Sequence, residues 1–518
     1  MKTSILPSLS LATLDRIAPD LRPAVDPREL RPKVVHFGLG AFHRAHQAVY
    51  TESAAARSGE PWGIVAVAPR STRVVKAMRV QDCLYSVAEH HPAATTTRAI
   101  GSIVGALGMR QDAERVDELL ADPGVTVATL TITEAGHYRR PGADGLDTGA
   151  PEIAADLAAA RTADITTVVG RLAVGLAARM RAGGAPISVV SCDNMAANGA
   201  ALGTVVRGFV EASSWPDRRA VLDWMATSVA FPATIVDRIV PATTDADREA
   251  ARAALGVWDE VPVVGEPYRQ WVLEDSFAGP RPPWELDGAL FVPDVVPYQL
   301  TKLRLLNGSH SALAYLGAAA GCATIADVLE TGWGERLVRA LSAEVAPTLP
   351  EGGPDPVTYT DDLVKRFRNR KIRHLLRQIG SDGSRKIPER WFGALRSLRA
   401  ARAGTPALEL ALAAWANATR PADDGRPSGA TDPTGRPFGT TDPTGRPFGA
   451  PDPTGQLFGT TDPAAAQLAA CWHEAADQED TIRRLLHVLG AADLAGDGAL
   501  VAGTAARLPA LRAGHVEI

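Results

Sequence analysis

The chain has 518 residues, 46% of them hydrophobic, enough for two or three domains with sizeable cores. Its 54 Lys and Arg against 59 Asp and Glu leave a formal net charge of -5, which excludes a general nucleic-acid binder, because such a protein needs a basic excess to neutralise phosphates. Four scattered cysteines, Cys83, Cys192, Cys322 and Cys471, form no C-x-x-C pair, so they argue against a zinc or disulfide framework and suit a reducing cytoplasm.

At the N-terminus, MKTSILPSLSLATLDR has its apolar run broken by Pro7 and serines, so no signal peptide is expected. KVVHFGLGAFHRAHQ (33–47) reads as a short buried strand, a tight turn and the opening of a helix. Glycines in such a turn let the backbone approach a pyrophosphate at the helix N-terminus, which makes Gly38, Leu39, Gly40 and Phe42 candidate cofactor residues. The third glycine of G-x-G-x-x-G is missing, with His43 in its place, so a plain strand–turn–helix fits equally well. Arg44 reads either as charge for the phosphates or as a surface helix residue.

WGIVAVA (62–68) is a second predicted strand, followed by Pro69, Arg70, Ser71, Thr72 and Arg73. An acid at this point would bind a ribose 2′-hydroxyl and repel a 2′-phosphate. None is present, and Arg70 and Arg73 make NADP compatible on charge alone; the alternative is two solvated loop arginines. VTVATLTIT (125–133) and PISVVSC (186–192) read as further strands, with AERVDELLAD and TTVVGRLAVGLAARMRA as helices between strands. Alternating strands and helices predict a parallel α/β sheet. Glu134 and Asn194 follow strand ends, the edge where open α/β sheets bind ligands, although an Asn there also suits a turn. Asp237 and Arg238, in FPATIVDRIVP, read as a site acid beside an arginine or as a mutual pair.

The composition shifts near Val295. We expect a Rossmann-like domain over 1–294 and a mostly α-helical domain over 295–518, an α/β fold with a helical C-terminal domain. The apolar segment Ala312 to Leu329 is Gly-rich and carries Asp327, so it reads as a buried helix rather than a membrane span. DDLVKRFRNRKIRHLLRQI and ALELALAAWANA read as helices. Residues 431–460 repeat a ten-residue unit three times, each with the type I turn Asp-Pro-Thr-Gly. Such short units cannot bury a core, so the expectation is a mobile surface loop over about 420–463, between two helices.

KLRLLNGSH (302–310) carries the sharpest chemistry. On an α-helix, Asn307 and His310 lie about 60° apart, and Lys302 lies about 80° from His310 and two turns earlier. Leu303, Leu305 and Leu306 offer an apolar wall, and desolvation beside it would make the lysine a better proton acceptor. Asn307 could donate to a developing alkoxide. The competing reading is a helix start with a snorkelling lysine.

Together GLGAFHRAHQ, TITEAGHY, SCDN, FPATIVDRIVP, EPYRQWVLEDSF and KLRLLNGSH resemble the polyol-specific long-chain dehydrogenases/reductases, the mannitol dehydrogenase family, from about Val34 to Trp415. The resemblance implies a metal-independent, NAD(P)-linked oxidoreductase that interconverts a secondary alcohol and a ketone on an open-chain sugar derivative, with NAD the expected cofactor and NADP possible. It implies a monomer or weak homo-oligomer, with no membrane partner. By this likeness Lys302 is the general acid/base, Asn194 and Asn307 polarise the carbonyl, His310 positions the substrate, and Glu134 and Asp237 line the site. PATIVDRIVPATT, EVAPTL and IRHLLRQIGSDGSRKIPER look more like the fructuronate reductase branch, whose substrate carboxylate needs a cation. Lys386 falls at a position that the family uses near substrate, with Arg373 and Arg377 as nearby surface candidates. Mannitol 2-dehydrogenase or arabinitol dehydrogenase activity is the runner-up, and a nucleotide-binding scaffold is the non-enzymatic rival. Three departures stand out: Gln299 replaces a Glu common three residues before the lysine, Thr72 and Arg73 replace acids, and the repeat has no counterpart.

Overall fold

The computed structural model describes residues 6–140, 144–159, 164–421 and 462–518. It divides into two compact units, Met1–Val295 and Val296–Ile518.

In the first unit the main sheet comprises β1 (Arg31–Phe37), β2 (Trp62–Ala68), β3 (Ile103–Gly108), β4 (Val127–Leu130), β5 (Ile187–Ser191) and β6 (Val229–Ala230). The order is β3-β2-β1-β4-β5-β6, with every neighbouring pair parallel. Parallel strands need covered faces, and alternate residues serve two cores. Val34, Ile64, Ala66 and Val127 join one, while Val35, Val65, Val67 and Ala128 join the other. Chain direction across the sheet reverses between β1 and β4, the position where such folds bind dinucleotides.

β4 is shorter than VTVATLTIT suggests. Asp193 Oδ1 accepts from the backbone N–H of both Ile132 and Thr133, at 2.8 Å each, and Thr133 takes φ +68. The side chain thus replaces the ladder and ends the strand.

The second unit is helical around one core. Gly308–Ala319 and Pro406–Ala418 are buried on nearly every face, so they are central helices rather than amphipathic ones. The segment Ala312 to Leu329 is two helices: the first ends at Ala319, Gly321 adopts φ +76, and Ile325–Glu330 begins anew. Asp327 is explained there as half of a capping box with Thr324. DDLVKRFRNRKIRHLLRQI likewise splits into Pro356–Phe367 and Leu376–Gly380, with no Gly or Pro to mark the break. No described helix is long and apolar enough to cross a membrane. The repeat at 431–460 lies outside the described residues.

Candidate active site

At the end of β1, Gly38 has φ +116, and a Cβ there would meet the Thr131 carbonyl oxygen at 2.2 Å. Only glycine fits. Gly40 is exposed, and a Cβ on it would find nothing nearer than the Gly38 carbonyl at 3.8 Å. The turn therefore presses against β4 on one side and leaves bare backbone on the other, which suits a dinucleotide at the switch point. Leu39 is buried; Phe42 is half-buried and stacks on His46 at 5.1 Å.

His43, in place of the third glycine, stacks on His36 with ring centroids 3.4 Å apart and planes 8° apart. His36 bonds Thr129 Oγ1 (2.7 Å), Thr131 Oγ1 (2.9 Å) and the Gly38 carbonyl (3.1 Å), tying the turn to β4. Burial pushes its pKa down to about 3 and that of His43 well below the ordinary range, so the stacked rings are neutral. The helix α1 (Ala41–Ala45) stops at His46, whose backbone is not helical (φ -121, ψ -88), and α2 (Gln47–Ser58) begins after it. Arg44 matches neither reading of it. It is buried, donates to the Val261 carbonyl and lies over the Tyr85 ring, whose hydroxyl donates back to the Arg44 carbonyl.

Arg70 and Arg73 are exposed, at the end of β2 and the start of α3 (Thr72–Val80). Glu134 is exposed in the turn after β4, and Asn194 is exposed after β5. Their neighbour Asp193 organises both strand ends, accepting also from His137 Nε2 at 2.8 Å. Asn198 then donates to the carbonyls of Asp193 (3.1 Å) and Thr234 (2.9 Å). Asp237 is buried at the end of the strand Thr234–Asp237. Arg238 is engaged by Glu89 at 2.7 Å and by the Glu266 carbonyl.

In the second unit a single helical path runs from Val296 to Ala319, but Lys302–Asn307 within it is a π-helix. The 100° spacing therefore does not hold across this stretch. Bonds from i to i+5 widen the turn and re-aim side chains, a device common at functional sites. A second π segment, Pro388–Phe392, lies against it. Arg390 Nη1 donates to the Asn307 carbonyl (3.2 Å) and to Ser311 Oγ (2.7 Å), and Trp391 Nε1 donates to the Gly308 carbonyl (3.3 Å). Side chains of one π segment thus satisfy the last carbonyl of the other and that of the residue after it.

Lys302 is buried, with 9% of its surface exposed, so it does not snorkel. Leu305 and Leu306 belong to the core; Leu303 is half-buried. His310 lies edge-on to His374 at 4.8 Å and against Phe367 at 4.6 Å. Burial holds its pKa well below the ordinary range, and the charges of His374, Arg366, Arg390 and Lys302 add to this. Its Nε2 has no hydrogen-bond partner among the described residues. An open pocket of about 210 Å³ is lined by His310, His374, Gln378, Ile379, Lys386 and Arg390. The structure thus brings His310 and Lys386 to one pocket, with Lys302 in electrostatic reach of His310 and the half-buried Asn307 held through Arg390. Arg373 and Arg377 are exposed and do not line it. Sequence reasoning missed His374 and Gln378, because a continuous helix through RKIRHLLRQI gave no reason to gather them at a pocket, and Arg390, because nothing local sets it apart from the other arginines nearby. Among the described residues no three His, Cys, Asp or Glu side chains gather as metal ligands would.

A 3-2-1-4-5-6 parallel sheet with a glycine turn at its switch point, followed by a helical unit holding a buried lysine beside a neutral histidine, is the layout of a nucleotide-dependent oxidoreductase. Residues 32–286 match the mannitol dehydrogenase Rossmann domain, and 294–439 match the mannitol dehydrogenase C-terminal domain. The chain is 38% identical to the D-mannonate oxidoreductase of Escherichia coli over 418 residues, 79% of this chain and 85% of the relative. It is similar to the ternary complex of Pseudomonas fluorescens mannitol 2-dehydrogenase with NAD and D-mannitol (TM-score 0.77, 31% identity, 98% of this chain and 97% of that one). Substrate-free D-sorbitol dehydrogenase has a TM-score of 0.82 at 26% identity, covering 98% of this chain and 100% of that one. The chain belongs to the mannitol dehydrogenase family, and it is an oxidoreductase acting on hydroxyl groups of polyols or sugar acids.

Proposed function

We propose that this protein is a fructuronate reductase: it reduces D-fructuronate to D-mannonate, with NAD as the cofactor. The observation that carries the substrate choice is Lys386, a cation lining the same pocket as His310. A hexuronate brings a carboxylate that such a cation can hold, and likeness to a D-mannonate oxidoreductase supports the same branch.

Gly38, Leu39, Gly40 and Phe42 would hold the cofactor at the end of β1, with Arg70 and Arg73 beside its ribose; the two exposed arginines leave NADP compatible. When bound there, the reduced cofactor would supply the hydride for this reduction. Protonated Lys302 gives its proton to the ketone oxygen as the charge develops. The amides of Asn307 and Asn194 donate to that oxygen and stabilise the alkoxide. Neutral His310 offers Nε2 to a substrate hydroxyl, and Glu134 and Asp237 accept from others. Gln299 cannot carry a proton, so Lys302 exchanges its proton by a route other than this residue.

The test is oxidation of NADH and of NADPH by the purified protein with D-fructuronate and with D-fructose, in parallel. Turnover of the uronate at much the higher kcat/KM is expected. Preference for D-fructose would move the protein to mannitol 2-dehydrogenase activity, which the similarity to the Pseudomonas enzyme favours.

A further inference from the structure

A charge withdrawn from water is held by an opposite charge or a full set of hydrogen bonds. Among the described residues, Lys386 and Arg390 have no ion-pair partner and only two hydrogen bonds each. Lys386 Nζ donates to the Ile379 carbonyl (3.2 Å) and to Ser381 Oγ (3.5 Å). Arg390 uses only Nη1, on the Asn307 carbonyl and Ser311 Oγ. All four acceptors are neutral. Neither cation forms an ion pair with a described acid: Asp462 is occupied by Ser384, whose N–H and hydroxyl both donate to it, and Asp382 and Glu389 act only at longer range. Burial lowers the pKa of both, and for Lys386 the charge of Arg390 adds to the lowering. Both line the pocket that His310 also lines.

We propose that Arg390, together with Lys386, seats the carboxylate of the substrate, and that Arg390 sets the preference for sugar acids over neutral sugars. A guanidinium has five N–H donors in a planar fork. With Nη1 held by the helix, Nε and Nη2 keep their donors for an anion, and the fork is already oriented for it. The anion supplies the missing charge for both cations. The same guanidinium braces the carbonyl of Asn307, so the carboxylate seat and the π turn that carries Lys302 and Asn307 share one anchor. This inference rests on the sugar-acid reading above and names the residue that enforces it.

The test compares wild type with Arg390→Gln, Arg390→Lys and Lys386→Met. Two quantities are read: the ratio of kcat/KM for D-fructuronate to that for D-fructose, and the calorimetric affinity for D-gluconate against neutral D-glucitol. Arg390→Gln should lower the ratio by about 10- to 100-fold, the loss of one charge-assisted hydrogen bond, and weaken D-gluconate by a similar factor. Arg390→Lys should recover part of both. Equal losses on both sugars, or unchanged D-gluconate affinity, would show that Arg390 only braces the π turn and would overturn the proposal. Should Arg390→Gln fail to fold, Lys386→Met carries the test, and an unchanged ratio there overturns it too. A wild type that binds D-gluconate through Arg390 yet ignores D-fructuronate would sink the fructuronate reading and keep the carboxylate seat. A wild type that prefers D-glucitol would remove both.

Discussion

Lys302 could be singled out in the sequence by type and neighbours, and the structure adds that it is buried close to a neutral His310. Replacing it with Ala should lower turnover by about 100- to 10,000-fold, the usual contribution of a positioned acid–base group. Cofactor affinity, measured by quenching of tryptophan fluorescence, should change little. Near-normal turnover would take the lysine out of the mechanism. Arg44 shows the opposite case. Its position after the glycine turn allowed a phosphate ligand or a surface residue, and neither holds, because the Val261 carbonyl and the Tyr85 ring take it into the interior. Burial of this charged residue depends on partners 41 and 217 positions away in the chain, which no local pattern reports.

Among the elements, the strand–turn–helix at β1 was legible because glycines and an apolar run are local signals. The fit of His43 was not: it stacks on His36, whose own bonds reach Thr129 and Thr131 on a different strand. Gly38→Ala should destabilise the protein by about 1–3 kcal/mol through the positive φ alone, and the 2.2 Å clash with Thr131 should displace the turn. A urea titration and a cofactor-binding titration would both register it; intact values in both would mean the turn tolerates a side chain. The π segment at Lys302–Asn307 was invisible in KLRLLNGSH, since propensities do not separate a π turn from an α turn. It persists beside donors that Arg390 and Trp391 bring from the second π segment.

For the molecule as a whole, buried histidines make acid the main threat. His36 and His46 have pKa values of about 3 when folded, against 6.5 in an unfolded chain. The unfolded state takes up protons first, so stability is full above the unfolded value and falls as pH drops toward the folded one. Those two residues alone predict a loss of about 2.7 kcal/mol per pH unit between roughly pH 6 and pH 4. Urea midpoints at about pH 7 and pH 5 would measure it, and an unchanged midpoint would mean that the rings are solvated or charged in the folded state.

By itself the sequence determined the class of fold and the list of chemically capable residues, because strand and helix periods, glycine turns and a K-x4-N-x2-H pattern are written in near neighbours. It marked Lys302, Asn307 and His310, and Lys386 by resemblance. Tertiary structure alone decided which of these share a pocket, that the lysine segment is a π turn, that DDLVKRFRNRKIRHLLRQI breaks to bring His374 against His310, and that Arg390 joins Lys386 with no ion pair to a described acid for either. The reason is physical: burial, unpaired charge and the satisfaction of backbone carbonyls are set by side chains arriving from distant segments, and only the packed chain brings those segments together.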